Sequence, residues 1–81
     1  MIFITENRNS KIAKMVSNDF PNVVIIETID DDIYSKLDVE DNIYIDSNII
    51  SDKLESIKLY LEINPKVYKT IEETPKGYSF K

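Results

Sequence analysis

The chain has 81 residues, and its 15 acidic against 10 basic side chains give a net charge of −5; this length suffices for the core of one small domain. The sequence contains neither cysteine nor histidine, which excludes disulfides, zinc sites of the Cys/His type, thiolate nucleophiles and imidazole acid–base catalysis. Gly77 is the single glycine, so glycine-rich phosphate loops are excluded as well. We therefore expect one α/β domain over residues 1–81 that is not an enzyme.

The sequence carries no recognisable targeting signal or membrane span. No apolar run approaches the ~18 residues that a membrane helix needs, and the amino-terminal segment MIFITENRNS lacks the basic and apolar stretches of a secretory signal. The excess of acids should repel nucleic acid and anionic membranes and attract basic protein surfaces. We expect a cytoplasmic protein that binds neither nucleic acid nor membrane directly and uses no cofactor.

The first part of the chain predicts a strand, a helix and a second strand. Residues 2–4 are a short apolar run, which is typical of a strand. A helix should begin near Asn9 or Ser10 and end at Pro21, because apolar side chains recur at spacings of three and four over this segment. Those side chains are Ile12, Ala13, Met15, Val16 and Phe20. Residues 23–26 are apolar without alternation, the pattern of a parallel strand covered on both faces.

The middle of the chain predicts a second helix and a third strand. Residues 27–41 favour one or two helical turns that begin at a cap on Asp30 or Asp31. Residues 43–45 are β-branched and aromatic and favour a strand. This strand should stop near Asp46, because aspartate favours turns.

The last third predicts a longer helix and a terminal hairpin. Ser51 is suited to cap the helix and Pro65 to end it, and one apolar stripe runs between them. Residues 67–71 favour a strand, and Pro75 and Gly77 are placed for a turn before a final strand. The complete order is β-α-β-α-β-α-β-β, which predicts a small two-layer or three-layer α/β domain with a mostly parallel sheet and a C-terminal edge hairpin. The apolar stripe of the third predicted helix consists of Leu54, Ile57 and Leu61.

Three acidic side chains should converge where the parallel strands end, because the carboxyl ends of parallel strands share one edge of a sheet. They are Glu6, Glu27 and Asp46. Carboxylate oxygens suit Mg²⁺, and Ser47 or Asn48 could add a further ligand. This edge is an alternative functional site, for Mg²⁺ held by Glu6 and Asp46 or for a phosphate-containing ligand.

The layout of residues 1–64, with an acid after the first strand and Asp46 ending the third, resembles a receiver domain, the phosphoacceptor module of response regulators. The resemblance implies a phosphate-accepting acidic cleft. Receiver domains also carry a paired acid after the first strand, a hydroxyl after the fourth and a lysine after a fifth. This chain has Glu6 alone at the first of these positions and ends in a hairpin instead of the last α/β unit.

The loop into the first helix offers a second candidate ligand site. Arg8, Asn9 and Ser10 follow Asn7 there, and an arginine beside free helix amides can hold phosphate or carboxylate. The alternative interpretation is a capped, solvated loop. Most helix starts have this composition, and without glycine the backbone cannot approach an anion closely.

Six acids surround Lys36 in residues 30–41. An EF-hand starting at the first of them would need glycine at its sixth position and glutamate at its twelfth, where the chain has Ser35 and Asp41. A calcium loop is therefore excluded. The segment is either a solvated loop or an acidic surface for a basic partner. The six acids are Asp30, Asp31, Asp32, Asp38, Glu40 and Asp41.

The leading functional hypothesis is a small protein-binding module, such as an inhibitor or regulator, that covers a basic, nucleic-acid-handling site on another protein. Residues 30–41, with Asp19, Glu72 and Glu73, would supply the charge. Tyr68 and Tyr78 on the hairpin would supply amphipathic anchors, or would instead seal the sheet edge. A third hypothesis is a homodimer that pairs through the edge hairpin.

Overall fold

The computed structural model describes residues 1–27, 30–49, 52–64 and 66–81. Its elements follow the order that the sequence predicts. Ser51 and Pro65, the predicted limits of the third helix, lie outside the described residues. The elements are β1 (Ile2–Ile4), α1 (Lys11–Asp19), β2 (Val24–Ile26), α2 (Ile33–Asp38), β3 (Ile43–Asp46), α3 (Asp52–Ile63), β4 (Tyr68–Thr74) and β5 (Gly77–Phe80).

The five strands form one sheet in the order β2-β1-β3-β4-β5. β1 to β4 run parallel and β5 returns antiparallel to β4, so the predicted parallel sheet with an edge hairpin is confirmed. β1 pairs with β2 on one side and with β3 on the other. The winding direction therefore reverses between β1 and β3, and their carboxyl ends border the crevice in which open α/β sheets usually bind ligands.

Helices cover both faces of the sheet, which gives three layers. Successive residues of a strand point to opposite faces, so Ile2 and Ile4 of β1 join one core cluster and Phe3 joins the other. The larger cluster lies under α2 and α3, and the smaller lies under α1. The buried helix residues of the first are Ile33, Leu37, Leu54, Ile57 and Leu61. Those of the second are Ile12, Ala13 and Val16.

α1 begins where the sequence predicts. The Ser10 Oγ accepts a hydrogen bond from the Ala13 N–H at 3.2 Å, which satisfies one of the free amides of the first turn. The helix ends at Asp19, two residues before Pro21, as the restriction on residues before proline leads us to expect.

The prediction that residues 23–26 form a strand covered on both faces is wrong. The strand spans Val24–Ile26 at the outer edge of the sheet, where Val24 is 52% exposed and Ile26 is buried. An apolar run without alternation does not distinguish a central strand from an edge strand that packs beside a helix. Within the part of the chain that the structure describes, β2 has a neighbouring strand on one side alone.

α2 is helical, as predicted, but its N-cap lies one or two residues after the predicted position at Asp30 or Asp31. Its N-cap is Asp32, whose side chain makes no capping hydrogen bond within the described part of the chain. The Asp30 carboxylate accepts a hydrogen bond from the Asp32 N–H at 3.1 Å and so closes a turn ahead of the helix. Ile33 and Leu37, one helical turn apart, are buried, and this packing stabilises a helix that is too short to be stable alone.

The hairpin has a longer first strand and a tighter turn than the sequence predicts. β4 extends to Thr74, which pairs with Gly77, so Pro75 and Lys76 alone form the loop. Gly77 adopts a φ of +145°, which favours glycine. β5 is the second outer strand of the sheet.

Candidate functional site

The crevice between β1 and β3 holds a buried polar pair. Asp46, the last residue of β3, is 4% exposed, and its Oδ2 accepts a hydrogen bond from the Thr5 hydroxyl at 2.8 Å. Its Oδ1 accepts one from the Asn48 N–H at 2.9 Å. Both carboxylate oxygens therefore bind groups of the protein itself, and Asp46 joins the loops that follow β1 and β3.

A cavity of about 210 Å³ lies beside this pair, lined also by Lys11 and Glu73. Arg8, Asn9 and Ser47, which belong to the predicted ligand-binding set, do not line it. The structure therefore brings part of the predicted set around one space. The members that share the cavity are Glu6, Ser10, Asp46 and Asn48.

Arg8 binds Glu27, and both residues line a cavity beside β2 and the start of α2. The Glu27 carboxylate accepts hydrogen bonds from the Arg8 N–H at 3.2 Å and from the Arg8 guanidinium. These contacts, the backbone hydrogen bond foremost, lower the pKa of Glu27. The Asn9 N–H donates to the Asn7 side chain at 2.9 Å, and Ser10 caps α1. The polar groups of this loop thus satisfy one another.

The strand-end acids do not form a carboxylate cluster. Glu27 pairs with Arg8, and Asp46 is buried against Thr5. In residues 1–27, 30–49, 52–64 and 66–81 there is no group of three or more Asp, Glu, Cys or His side chains that could hold a metal ion. The shared cavity with Glu6 is thus the one structural feature that accords with the Mg²⁺ alternative.

The acidic residues of segment 30–41 are divided between opposite ends of the sheet. Residues 30–32 precede α2, near the edge where the parallel strands end, and Asp38, Glu40 and Asp41 lie at or beyond its last turn. α2 has six residues, which at 1.5 Å per residue separates the two groups by about 9 Å. The six acids therefore form two groups, one at each end of α2.

The negative charge of the second group, at the end of α2, is partly neutralised by nearby cations. A Glu40 carboxylate oxygen lies 3.3 Å from the Met1 amine and accepts a hydrogen bond from the Asn42 N–H at 3.2 Å. These interactions, the Asn42 N–H foremost, lower the pKa of Glu40. The Lys66 ammonium donates to the Glu40 carbonyl at 3.3 Å and lies 3.8 Å from the Asp41 carboxylate. This end of the molecule is less negative than its acids alone would make it.

Tyr68 and Tyr78, the predicted anchors, lie on opposite faces of the sheet. Tyr68 packs against the core under α2 and α3, and Tyr78 packs against the core under α1. The Tyr78 hydroxyl donates a hydrogen bond to the Asp19 carboxylate. Burial, followed by this hydrogen bond, raises the pKa of Tyr78 to about 12. The two tyrosines do not form one binding surface.

An apolar groove of about 500 Å³ lies on the outer side of α2 and α3. Its lining is Tyr34, Ser56, Leu59, Tyr60 and Ile63, which we call the outer helical face. Leu59 is 57% exposed and Ile63 is 70% exposed. The rings of Tyr34 and Tyr60 meet edge to face with their centroids 4.7 Å apart. Large apolar side chains are thus exposed together along one groove.

Carboxylates border the outer helical face. Glu55 and Glu62 lie four residues before and three residues after Leu59, positions that neighbour it on a helix surface, and both are exposed. Lys58, between the two glutamates in sequence, is half-buried. Among the described side chains that border the groove along α3, acids therefore outnumber bases.

On the α2 side of the groove, the Asp38 carboxylate accepts a hydrogen bond from the Tyr60 hydroxyl. This bond, together with desolvation, raises the pKa of Tyr60. The outer helical face does not follow from the apolar pattern used to predict α3, because that pattern is a single stripe on one side of the helix. A second apolar pair four residues apart, Leu59 and Ile63, was the signal that could have revealed the groove.

None of the helices described for this chain combines the length and the apolar character that crossing a membrane requires. Comparison of the chain with protein-family models, with curated protein sequences and with solved structures found no match.

Proposed function

We propose that the protein is a small binding module that docks a basic, amphipathic surface of another protein on its outer helical face. The observation that carries the proposal is the exposure of Leu59 and Ile63 along one groove beside the Tyr34–Tyr60 pair. Single exposed apolar side chains are ordinary, but contiguous apolar patches with polar borders are typical of protein-binding sites. Tyrosine is also common among the residues that contribute most to binding.

The charges define the chemistry of the partner. The chain carries a net charge of −5. The groove is bordered by three acidic residues, Glu55, Glu62 and Asp38, and by one basic residue, Lys58. Lysine and arginine side chains around an apolar centre would be attracted to this border, whereas acidic surfaces would be repelled. A partner that handles nucleic acid has such a basic surface, and covering it would make the module an inhibitor or regulator.

In this function the protein binds its partner and catalyses no reaction. Of the acids predicted for the interface from the sequence, Asp38 borders the outer helical face. The aromatic anchors on this face are Tyr34 and Tyr60, and not the predicted Tyr68 and Tyr78. The cysteine-free composition accords with a reducing compartment, and we place the module in the cytoplasm.

Affinity capture from the native cell tests the proposal. The immobilised chain is compared with the double variant Leu59→Glu, Ile63→Glu and with Val24→Glu, a matched control on an exposed apolar residue of the β2 edge. We expect one partner to be retained by the unmodified chain and by the control, and to be lost with the double variant. Retention should fall as salt rises from about 0.05 M to about 0.5 M, because salt screens exposed charges.

Circular dichroism verifies that the variants keep the fold. A partner that the double variant retains as well as the unmodified chain would contradict the proposed face. A partner whose retention does not depend on salt would contradict the electrostatic part of the proposal.

The alternative function, a small ligand in the cavity between β1 and β3, is favoured by the position of that cavity at the reversal of winding. The hydrogen bonds that Asp46 already accepts favour it less. Titration with Mg²⁺ and with nucleotides, followed by amide NMR shifts, tests it. Shifts at Glu6, Asp46 and Asn48, which line the cavity, would support it, and unchanged signals there would exclude it.

A further inference from the structure

The hydrogen-bonding pattern of the free edge of β5 follows from its pairing with β4. Lys81 exchanges both backbone hydrogen bonds with Thr70, at 2.7 and 3.1 Å. Hydrogen-bonded and non-hydrogen-bonded pairs alternate along an antiparallel ladder, so Ser79 also faces β4. Tyr78 and Phe80 therefore direct their N–H and C=O groups away from β4.

β5 is the outermost strand of the described sheet, so no strand there pairs with these outward groups. β2, the other outer strand, differs. Its Val24 N–H and Ile26 carbonyl bond to Met1 and Thr5, which leaves Ile25 as the one residue of β2 that faces outward. β2 therefore offers one outward residue for pairing, and β5 offers two.

We propose that β5 binds a second copy of this chain, edge to edge and antiparallel, with the two-fold axis at Ser79. In this register Tyr78 of each copy lies opposite Phe80 of the other, and each such pair exchanges both backbone hydrogen bonds. A register with Tyr78 opposite itself would place Phe80 against Lys76 of the turn and lose half of these bonds. Of these two registers, the one centred on Ser79 thus pairs all the outward groups of Tyr78 and Phe80.

The side chains accord with this pairing. Tyr78 and Phe80 point to the same face of the sheet, and directly opposed aromatic side chains stabilise strand pairs. Phe80 is 44% exposed, although its ring already lies 5.2 Å from that of Tyr44 and 5.8 Å from that of Tyr78, measured between centroids. A second copy would cover this exposed ring.

β5 itself carries no acidic side chain, so no carboxylate of this strand opposes the pairing. Lys81 would lie opposite Gly77 of the second copy, and its ammonium is 2.6 Å from the Glu72 carboxylate of its own chain. β5 has four residues, so the contact area is below the ~1,200 Å² of stable interfaces. The dimer is therefore one that exchanges readily and is populated at high protein concentration.

A single cysteine tests the inference. Ser79→Cys places the two thiols at a non-hydrogen-bonded pair, where Cα atoms are about 4.5 Å apart, a separation that disulfides span. The natural sequence has no cysteine, so every disulfide formed joins residue 79 of two copies. The matched control is Ser56→Cys, an exposed serine of the outer helical face.

We expect mild oxidation of the concentrated chain to give covalent dimer at least tenfold faster with Ser79→Cys than with Ser56→Cys. Equal rates would overturn the inference, and a faster rate at residue 56 would place a dimer contact on the outer helical face instead. The substitutions Leu59→Glu and Ile63→Glu should leave the rate at residue 79 unchanged. Failure of the β5 dimer and failure of the proposed partner site are therefore distinguishable.

Two further substitutions in the Ser79→Cys chain test the backbone bonds. Phe80→Pro deletes the outward N–H while Ser79 keeps its bonds to β4, and it should abolish rapid cross-linking. Phe80→Thr retains the N–H but loses the aromatic ring. The Ser79→Cys chain with Phe80→Thr should therefore cross-link more slowly than the chain that keeps Phe80, and faster than the chain with Phe80→Pro. Sedimentation of the unmodified chain should show a dimer fraction that rises with concentration, and a monomer at every concentration up to about 1 mM would also overturn the inference.

Discussion

Asp46 and Thr5 connect the two central strands of the sheet through one pair of side chains. A buried carboxylate without partners costs several kcal/mol, and the Thr5 hydroxyl and the Asn48 N–H supply its partners here. The sequence indicates where Asp46 lies, because aspartate favours the end of a strand. The sequence cannot indicate its partner, since Thr5 is 41 positions away along the chain.

Replacing Thr5 with valine should destabilise the fold by about 1.5 to 3 kcal/mol, the usual contribution of a hydrogen bond to a charged group. Thr5→Ser keeps the hydroxyl and is the control. Urea denaturation of the three chains measures the free energies of unfolding. If the serine variant lost as much stability as the valine variant, the methyl group and not the hydrogen bond would be the important part of Thr5.

The raised pKa of Tyr78 makes stability depend on pH in the alkaline range. Folding raises this pKa from 10.0 to about 12, first through burial and then through the bond to Asp19. The protonated hydroxyl is thus favoured in the folded state, so its stabilisation is complete below pH 10 and is lost as the pH rises toward 12. A difference of this size corresponds to at most about 3 kcal/mol, reduced because solvent screens the exposed Asp19 carboxylate.

NMR titration of the Tyr78 ring measures this pKa directly. Asp19→Asn should lower it while leaving it above the ordinary value, because burial remains. Tyr78→Phe should remove this part of the alkaline loss of stability in urea experiments. An unchanged pKa in Asp19→Asn would contradict the role of the hydrogen bond.

Local sequence signals predict which helices and strands form, but they do not predict which other elements pack against them. Ser10 and the stripe that starts at Ile12 place α1 correctly, since capping and apolar spacing act within one helix. Residues 23–26 do not reveal that β2 is an edge strand, because that depends on which strand lies beside it. The acids of segment 30–41 are neighbours in sequence, yet α2 places them at opposite ends of the sheet.

The outer helical face follows the same rule. Leu59 and Ile63 lie off the buried stripe of α3, and the sequence alone cannot decide whether another element covers them. The contact between Tyr34 and Tyr60 joins two helices, and its position depends on how α2 and α3 pack. This part of the candidate site therefore emerges from tertiary structure.

The hairpin turn depends on the backbone of Gly77. A Cβ atom added there would meet no atom within 4 Å, so Gly77→Ala should destabilise the fold through its φ of +145° alone, by about 1 to 3 kcal/mol. Ser79→Ala in the same strand should cost less than about 0.5 kcal/mol. Thermal and urea unfolding compare the two, and equal small effects would mean that alanine adopts this conformation without strain.

For the whole molecule, β1 and β3 are the most enclosed strands. β1, β3 and β4 each have a strand on both sides, but most residues of β4 are at least partly exposed, whereas those of β1 and β3 are mostly buried. Their amides should exchange with solvent most slowly, while the outward amides of Ile25, Tyr78 and Phe80 should exchange fastest. In concentrated samples Tyr78 and Phe80 should slow down and Ile25 should not, if β5 pairs with a second copy. Hydrogen exchange at two concentrations measures this, and parallel changes at all three amides would contradict it.

A dimer of this geometry would have a further effect on binding. A two-fold axis perpendicular to the sheet keeps each face of the sheet on its own side, so both outer helical faces would point the same way. A partner with two basic sites, or two partners held close together, would then be bound with avidity.

The pair formed by Asp46 and Thr5 also bears on how this fold could evolve. In doubly wound proteins the crevice beside the central strands is where new chemistry most readily arises, but here its most buried acid is already engaged in holding that crevice together. A lineage that acquired a cofactor at this position would first have to release Asp46, and the intermediate forms would be less stable. Innovation in such a chain is more accessible on its exterior helices, where changes leave the architecture intact.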